Sequence, residues 1–228
     1  MALTNEKSQI ASYTARLLRE RFGKGPESVY VSLGDRFVVL HLRKFLGPVE
    51  QFLLSQDEER AFRYTRELLM KSLLPDLNGF LQTTLGVELT ELYYDWGNDF
   101  ADGMIVGLCR EPFTDEEQTL TQYPGQEVVH RQIERITQKA QRHPDRTDSV
   151  WLNDRTLVVI REGLLIALEL ELIGLGYEEI LKVTKRKLEK RLIVEETDIG
   201  ELFGKQRVDI FVDWDFELDK SVMVMTFQ

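Results

Sequence analysis

The groups in this chain best suited to hold an anion gather at a helix stop and along one hairpin. Gly23-Lys24-Gly25-Pro26 sets a lysine between two glycines, whose lack of a Cβ lets backbone N–H groups approach a negatively charged oxygen. Arg36 and the pair Arg43-Lys44 follow within the next elements and would add positive charge. Gly23, Lys24, Gly25, Arg36, Arg43 and Lys44 are therefore the candidate ligand-binding residues. A local explanation competes: glycine just past a helix end, with proline shortly after, is how helices commonly stop, so a plain C-cap is the stronger reading of Gly23 to Pro26.

Other chemistry is thinner. Asp213, Asp215, Glu217 and Asp219 would line one side of an extended strand, as a hard-cation site requires. Alternate strand residues stand about 6.6 Å apart, wide for one ion, and a solvated hairpin end is favoured. His41, His130 and His143 are the histidines of the chain and are far apart in sequence, so a triad or zinc site would have to be assembled by the fold. Phosphate-binding loops, nucleophile elbows, paired CxxC and HExxH are absent from the sequence. No catalytic residue, metal ligand or cofactor is assigned. Trp96 and Trp214, each preceded by aspartate, read as core packing at strand ends, and Cys109, with Arg110 as its one cationic neighbour in sequence, is not read as a reactive thiolate.

Bulk properties narrow the classes. The 228 residues are 43% hydrophobic and 30% charged, enough for a buried core and a solvated surface. A net charge of −10 argues against a nucleic-acid partner, whose phosphates are held by clustered Lys and Arg. With one cysteine no internal disulfide forms, and a cytoplasmic location is expected. The start Met1-Ala2-Leu3-Thr4 lacks a signal-peptide pattern, and the longest apolar run, Gly163 to Ile173, carries two glutamates and is too short to span a bilayer.

The elements that must position these groups come twice. Glu27-Ser28-Val29-Tyr30-Val31 returns as Asp148-Ser149-Val150-Trp151-Leu152, and Asp35-Arg36 returns as Asp154-Arg155. At a shift of roughly 120 residues Leu46 meets Leu165, Glu50 meets Glu169, Thr65 meets Thr184, Leu69 meets Leu188, Gly86 meets Gly204 and Asp95-Trp96 meets Asp213-Trp214. The expected fold class is α+β: two tandem copies of an α-β-β-α-(α)-β-β domain, each an antiparallel sheet covered by helices, with pseudo-dimer packing as the arrangement that duplication suggests. The copies are placed at residues 1–112 and 126–228, joined by a linker at 113–125 that follows Pro112 and ends in Pro124-Gly125.

In the first copy Thr4 or Asn5 is expected to cap a helix whose Ile10, Thr14, Leu17 and Leu18 recur at helical spacing. The hairpin that follows is assigned a Ser32-Leu33-Gly34-Asp35 turn, and its counterpart a two-residue type I′ turn at Asn153-Asp154. Gly47-Pro48 suits a helix start, Glu58 to Lys71 continues as helix, and Leu74-Pro75-Asp76 is read as the start of a further one. The second copy has Tyr177 to Ile193, a shorter helical turn before Phe203-Gly204, and a closing hairpin whose return strand is Val222 to Phe227.

Phe22-Gly23-Lys24-Gly25-Pro26, Ser28-Val29, Phe37-Val38-Val39, Gly47-Pro48-Val49-Glu50 and Leu74-Pro75-Asp76-Leu77 resemble the MpsC family of bacterial proteins, named for sodium-translocating, membrane-potential-generating systems. The resemblance covers roughly residues 8 to 108 and is most specific at the glycine-rich stretch. The second copy departs from it there, with His143-Pro144-Asp145-Arg146, and has Ile166-Ala167 where the first has Gly47-Pro48. What the resemblance implies is a cytoplasmic, non-enzymatic accessory or regulatory binding protein tied to ion or inorganic-carbon uptake. Its partner would be a membrane transport component or a further copy of itself. The alternative is an enzyme of unrecognised type that sets Glu50 or Asp95 with Lys24 or Arg43 in a polar site between the copies. On this reading the first copy is the functional domain and the second a divergent structural partner.

Overall fold

The structure, a computed structural model, describes residues 3–97, 101–114 and 119–228. The chain divides into two compact units, one made of Met1–Leu92 with Trp96–Glu116 and the other of Tyr93–Asp95 with Glu117–Gln228.

The first unit runs α1 (Thr4–Phe22), β1 (Ser28–Gly34), β2 (Phe37–Arg43), α2 (Pro48–Ser55), α3 (Glu59–Leu85), β3 (Leu89–Trp96, of which Tyr93–Asp95 group with the other unit) and β4 (Gly103–Cys109). Its sheet has the order β1-β2-β4-β3, with β2 antiparallel to both neighbours. Ile10, Thr14, Leu17 and Leu18 make the buried stripe of α1, which packs against β1 and α3. Thr4 is the first helical residue and Leu3 takes the cap position without a side-chain hydrogen bond, so neither Thr4 nor Asn5 serves as the cap. Gly23 stops the helix in the left-handed conformation, φ 72°, as the C-cap reading requires.

The first hairpin is tighter than its sequence suggests. Gly34 pairs with Phe37, leaving Asp35-Arg36 as the turn, because Leu33, 1% exposed, is held in the core and keeps the strand extended. Pro75 lies inside α3 and starts no new helix. The missing N–H is tolerated because the buried stripe Phe62, Arg66, Met70, Leu73, Leu77 and Leu81 continues through the proline at a spacing of three and four residues.

The second unit runs α4 (Gln126–Ala140), β5 (Arg146–Asn153), β6 (Thr156–Glu162), α5 (Ala167–Gly174), α6 (Glu178–Glu196), α7 (Ile199–Leu202), β7 (Arg207–Asp215) and β8 (Lys220–Phe227). Its sheet order, β5-β6-β8-β7, repeats the first with every pair antiparallel. The two halves share this α+β plan. The β5–β6 turn is Asp154-Arg155, since Asn153 pairs with Thr156, and neither turn residue has positive φ, so it is not type I′. Asn153 Oδ1 instead accepts from the Arg155 N–H at 2.9 Å, and a bulge between Trp151 and Asn153 takes up the twist.

α2 and α5 begin in the same way despite different residues. Glu50 reaches back to the Gly47 N–H at 2.6 Å, and Glu169 to the Ile166 N–H at 3.1 Å. Val129, Ile133, Leu157, Ile193, Ile210 and Met223 centre the second core, which joins α4, the sheet and α6.

Candidate functional site

Around the glycine-rich stop of the first unit, the predicted cations come together only in part. Lys24 Nζ donates to the Leu46 carbonyl at 2.8 Å, Lys44 Nζ pairs with Glu27 at 2.9 Å, and Arg43 Nε with Asp102 at 3.0 Å. The loop at 23–27 therefore lies beside the 43–46 segment. Arg36 sits at the opposite end of the β1–β2 hairpin, roughly 20 Å along β2, where it faces Asp35 at 3.6 Å. The glycines also have packing duties. A Cβ on Gly25 would stand 2.9 Å from the Ala15 carbonyl, so the loop lies tight against α1 at that point.

Asp102 organises this end of the sheet. Its Oδ1 accepts from the Lys44 N–H at 2.8 Å, and its Oδ2 faces Arg43 at 3.0 Å and His41 at 3.6 Å. Burial would raise its pKa, but the His41 imidazole, the Lys44 N–H and the Arg43 charge together hold it below the ordinary carboxylate value. Lys44 takes φ 49°, a conformation that the Asp102 hydrogen bond pins.

A buried constellation recurs in both units and was not singled out from the sequence. In the first, Arg66 is fully buried; its Nε and Nη2 reach the two Glu50 oxygens at 2.6 and 3.2 Å, and its guanidinium lies 3.9 Å from the Trp96 ring centre. In the second, Lys185 Nζ is 2.9 Å from Glu169 and 5.2 Å from the Trp214 ring centre. Burial pulls both cations' pKa values down while the paired glutamate pushes back, the condition in which removing either partner strands a charge. Arg66 and Lys185 stand in the same register as Thr65/Thr184. That register was visible, but the Arg/Lys difference hid the pair.

The second unit adds a further buried network. Arg161 and Glu189 pair at 2.7 Å with both side chains 0% exposed, and Arg161 also donates to Thr137 and Ser221. Gln141 joins Glu189 at 2.6 Å and accepts from Lys185. Asp95, which falls in this unit, is held by Lys190 at 2.5 Å and Arg186 at 3.3 Å, and Asp213 by Arg186 at 2.7 Å. The acidic alternation is thereby dispersed: Asp213 is buried among cations, Asp215 caps the Glu217 and Leu218 N–H groups, and Asp219 accepts from Leu164 and Leu165. Glu50, Lys24 and Arg43, groups of the enzymatic alternative, are each bound to a separate partner within the first unit.

Ser149 on β5 receives two side chains, Tyr123 OH at 2.6 Å and His130 Nε2 at 2.7 Å. Burial pushes the Tyr123 phenol up to about 12 and lowers His130, so both stay neutral at pH 7 and act as hydrogen-bonding groups. Leu120 exchanges both backbone hydrogen bonds with Trp151, at 2.8 and 3.0 Å, which lays the segment 119–125 along the β5 edge. The segment lies within the 113–125 stretch that the sequence marks as linker. An open cleft of about 610 Å³ lies there, walled by Leu120, Tyr123, Trp151, Phe203 and Lys205. Cys109 is buried in β4 and its thiol is pushed up to about 11, which makes it inert as a nucleophile.

Fold and site define a two-unit α+β protein whose buried charges are mutually neutralised. Residues 4–109, from α1 through β4, match the family described as Na+-translocating membrane potential-generating system (MpsC). Of the second unit, Glu117–Gln228 lies outside the matched residues. No curated protein and no solved structure matches the chain. Among the described residues no helix is long and apolar enough to cross a membrane.

Proposed function

We propose that the protein is a non-enzymatic accessory or regulatory binding protein of a bacterial ion- or inorganic-carbon-uptake system, acting in the cytoplasm on a membrane transport component. The observation that carries the reading is a set of exposed apolar side chains on two of the first unit's helices, α2 and α3. Val49 and Phe52 on α2 are 70% and 63% exposed, and Tyr64 and Leu68, one turn apart on α3, are 57% and 50% exposed. Exposed apolar side chains on two helices that contact each other suit a protein partner better than a small substrate. The family's description, a membrane-potential-generating system, points the same way.

Gly23, Lys24, Gly25, Arg43 and Lys44 form the anion-responsive part of this reading, with Arg36 as a separate cation at the far end of the hairpin. Lys24 and Lys44 hold exposed partners, Leu46 O and Glu27, that an arriving anion can replace. The second copy, residues 126–228 joined through 113–125, is read as a diverged duplicate of the first.

A photoreactive side chain placed at Phe52 in growing cells tests the proposal. It is expected to form an adduct with an integral membrane transport protein, and the same group at exposed Glu20 on α1 is not. No adduct, or equal adducts at both positions, would overturn it.

A further inference from the structure

We propose that the second unit carries a binding site of its own, for a small planar aromatic molecule bearing one negative charge, in the cleft walled by Tyr123, Trp151 and Phe203 with Lys205 at its rim. At about 610 Å³ the cleft falls within the size range of sites that enclose small molecules. Its three rings stand mutually edge to face. Tyr123 and Trp151 are 6.2 Å apart at 78°, Trp151 and Phe203 are 5.1 Å apart at 85°, and Tyr123 and Phe203 are 5.9 Å apart at 62°. In such an array an added ring finds a complementary face or edge, because ring edges are positive and faces negative.

The walls are fixed before any ligand arrives. Leu120 and Trp151 exchange two backbone hydrogen bonds, and Tyr123 is tied through its hydroxyl to Ser149. Preformed walls lessen the entropy lost on binding. The charge follows from Lys205, whose ammonium lies 5.8 Å from the Trp151 ring centre and pairs with no acid among the described residues, in a chain of net charge −10. Asp154 also lines the cleft, which disfavours a second negative charge on the ligand.

Trp151 has an aromatic counterpart in Tyr30, but two other groups of the cleft are not shared. In the register that aligns Gly86 with Gly204 and Tyr30 with Trp151, the first unit has Leu85 in place of Phe203 and Val87 in place of Lys205. The site belongs to what the second unit gained.

Calorimetric titration of the full chain with 1-naphthaleneacetate, its neutral amide and cyclohexaneacetate tests this. One saturable site for 1-naphthaleneacetate is expected, with the amide weaker and cyclohexaneacetate weaker still. Lys205→Met should weaken the carboxylate at least about tenfold, as loss of a charge-assisted contact implies, and leave the amide unchanged. In a leucine-methyl-labelled chain the naphthyl ring current should shift the Leu120 resonances. The proposal is overturned if no naphthyl compound binds, if Lys205→Met leaves the carboxylate's affinity intact, or if the shifts fall elsewhere than Leu120. An unchanged melting temperature in Lys205→Met establishes that a lost affinity is not lost folding.

Discussion

Arg66 in the first unit and Lys185 in the second hold the same place, between a helix-capping glutamate and a tryptophan at a strand end, yet their surroundings differ. Arg66 is bound bidentately to Glu50 and donates also to the Phe45 carbonyl, a set of partners drawn from one short stretch of chain. Lys185 makes one contact with Glu169 and belongs to a larger network through Gln141, Glu189 and Arg161. The comparison separates what the frame requires from what each unit can vary. The acid, the cation and the tryptophan are required, because together they satisfy a charge buried between helix and sheet. The headgroup is free to be guanidinium or ammonium once other polar groups supply the missing hydrogen bonds.

The strand end after each central hairpin repeats the lesson. The residue following β2 is Lys44 at φ 49°, and the residue following β6 is Gly163 at φ 71°; in each case an aspartate, Asp102 or Asp219, accepts backbone N–H groups there. A left-handed residue and a carboxylate clamp are common property. The clamp in the first unit also collects Arg43 and His41, whereas in the second it serves the backbone of Leu164 and Leu165.

The largest effect expected from breaking this comparison is in the first unit. Arg66→Met leaves Glu50 buried and uncompensated, and urea unfolding should show a loss of about 3–5 kcal/mol. Lys185→Met should cost less, about 2–3 kcal/mol, because Glu189 keeps Arg161 and only Glu169 is stranded. Equal losses would mean that the wider network contributes nothing.

A smaller effect is expected at Asp102. Its lowered pKa means that the stability it lends is complete above the unfolded carboxyl value near about 3.9 and is lost as pH falls through the folded value. Asp102→Asn should therefore destabilise by about 1–2 kcal/mol at pH 7, with the difference from the parent chain closing below about pH 4. A pH-independent difference would show that packing, not charge, is what Asp102 supplies.

Much of the frame is legible in the sequence because it rests on local rules. The Gly23 stop, the Gly47-Pro48 start and the β-branched strands each follow from what one or a few residues prefer, and the doubled order followed from their recurrence. Pro75 was misread because a start signal is local while the buried stripe that carries α3 past it spans the whole helix. The Asp35-Arg36 and Asp154-Arg155 turns were displaced by one or more residues because Leu33 and Asn153 are fixed by the core and by pairing, not by turn preference. The cleft was the least legible feature. It depends on Leu120 meeting Trp151 and on Tyr123 meeting Ser149, contacts across some 26 to 31 positions that no local signal announces. The candidate cations were readable as charges, but which of them the fold unites was not, and Arg36 is the clear exception.

The central claim is that one buried acid–cation–tryptophan constellation holds both units. Double-mutant cycles in urea on Glu50/Arg66 and on Glu169/Lys185, using Gln and Met as replacements, test it most directly. The account predicts favourable coupling of about 1–3 kcal/mol in both cycles, larger for the bidentate Arg66 pair. Coupling near zero in either cycle would contradict it.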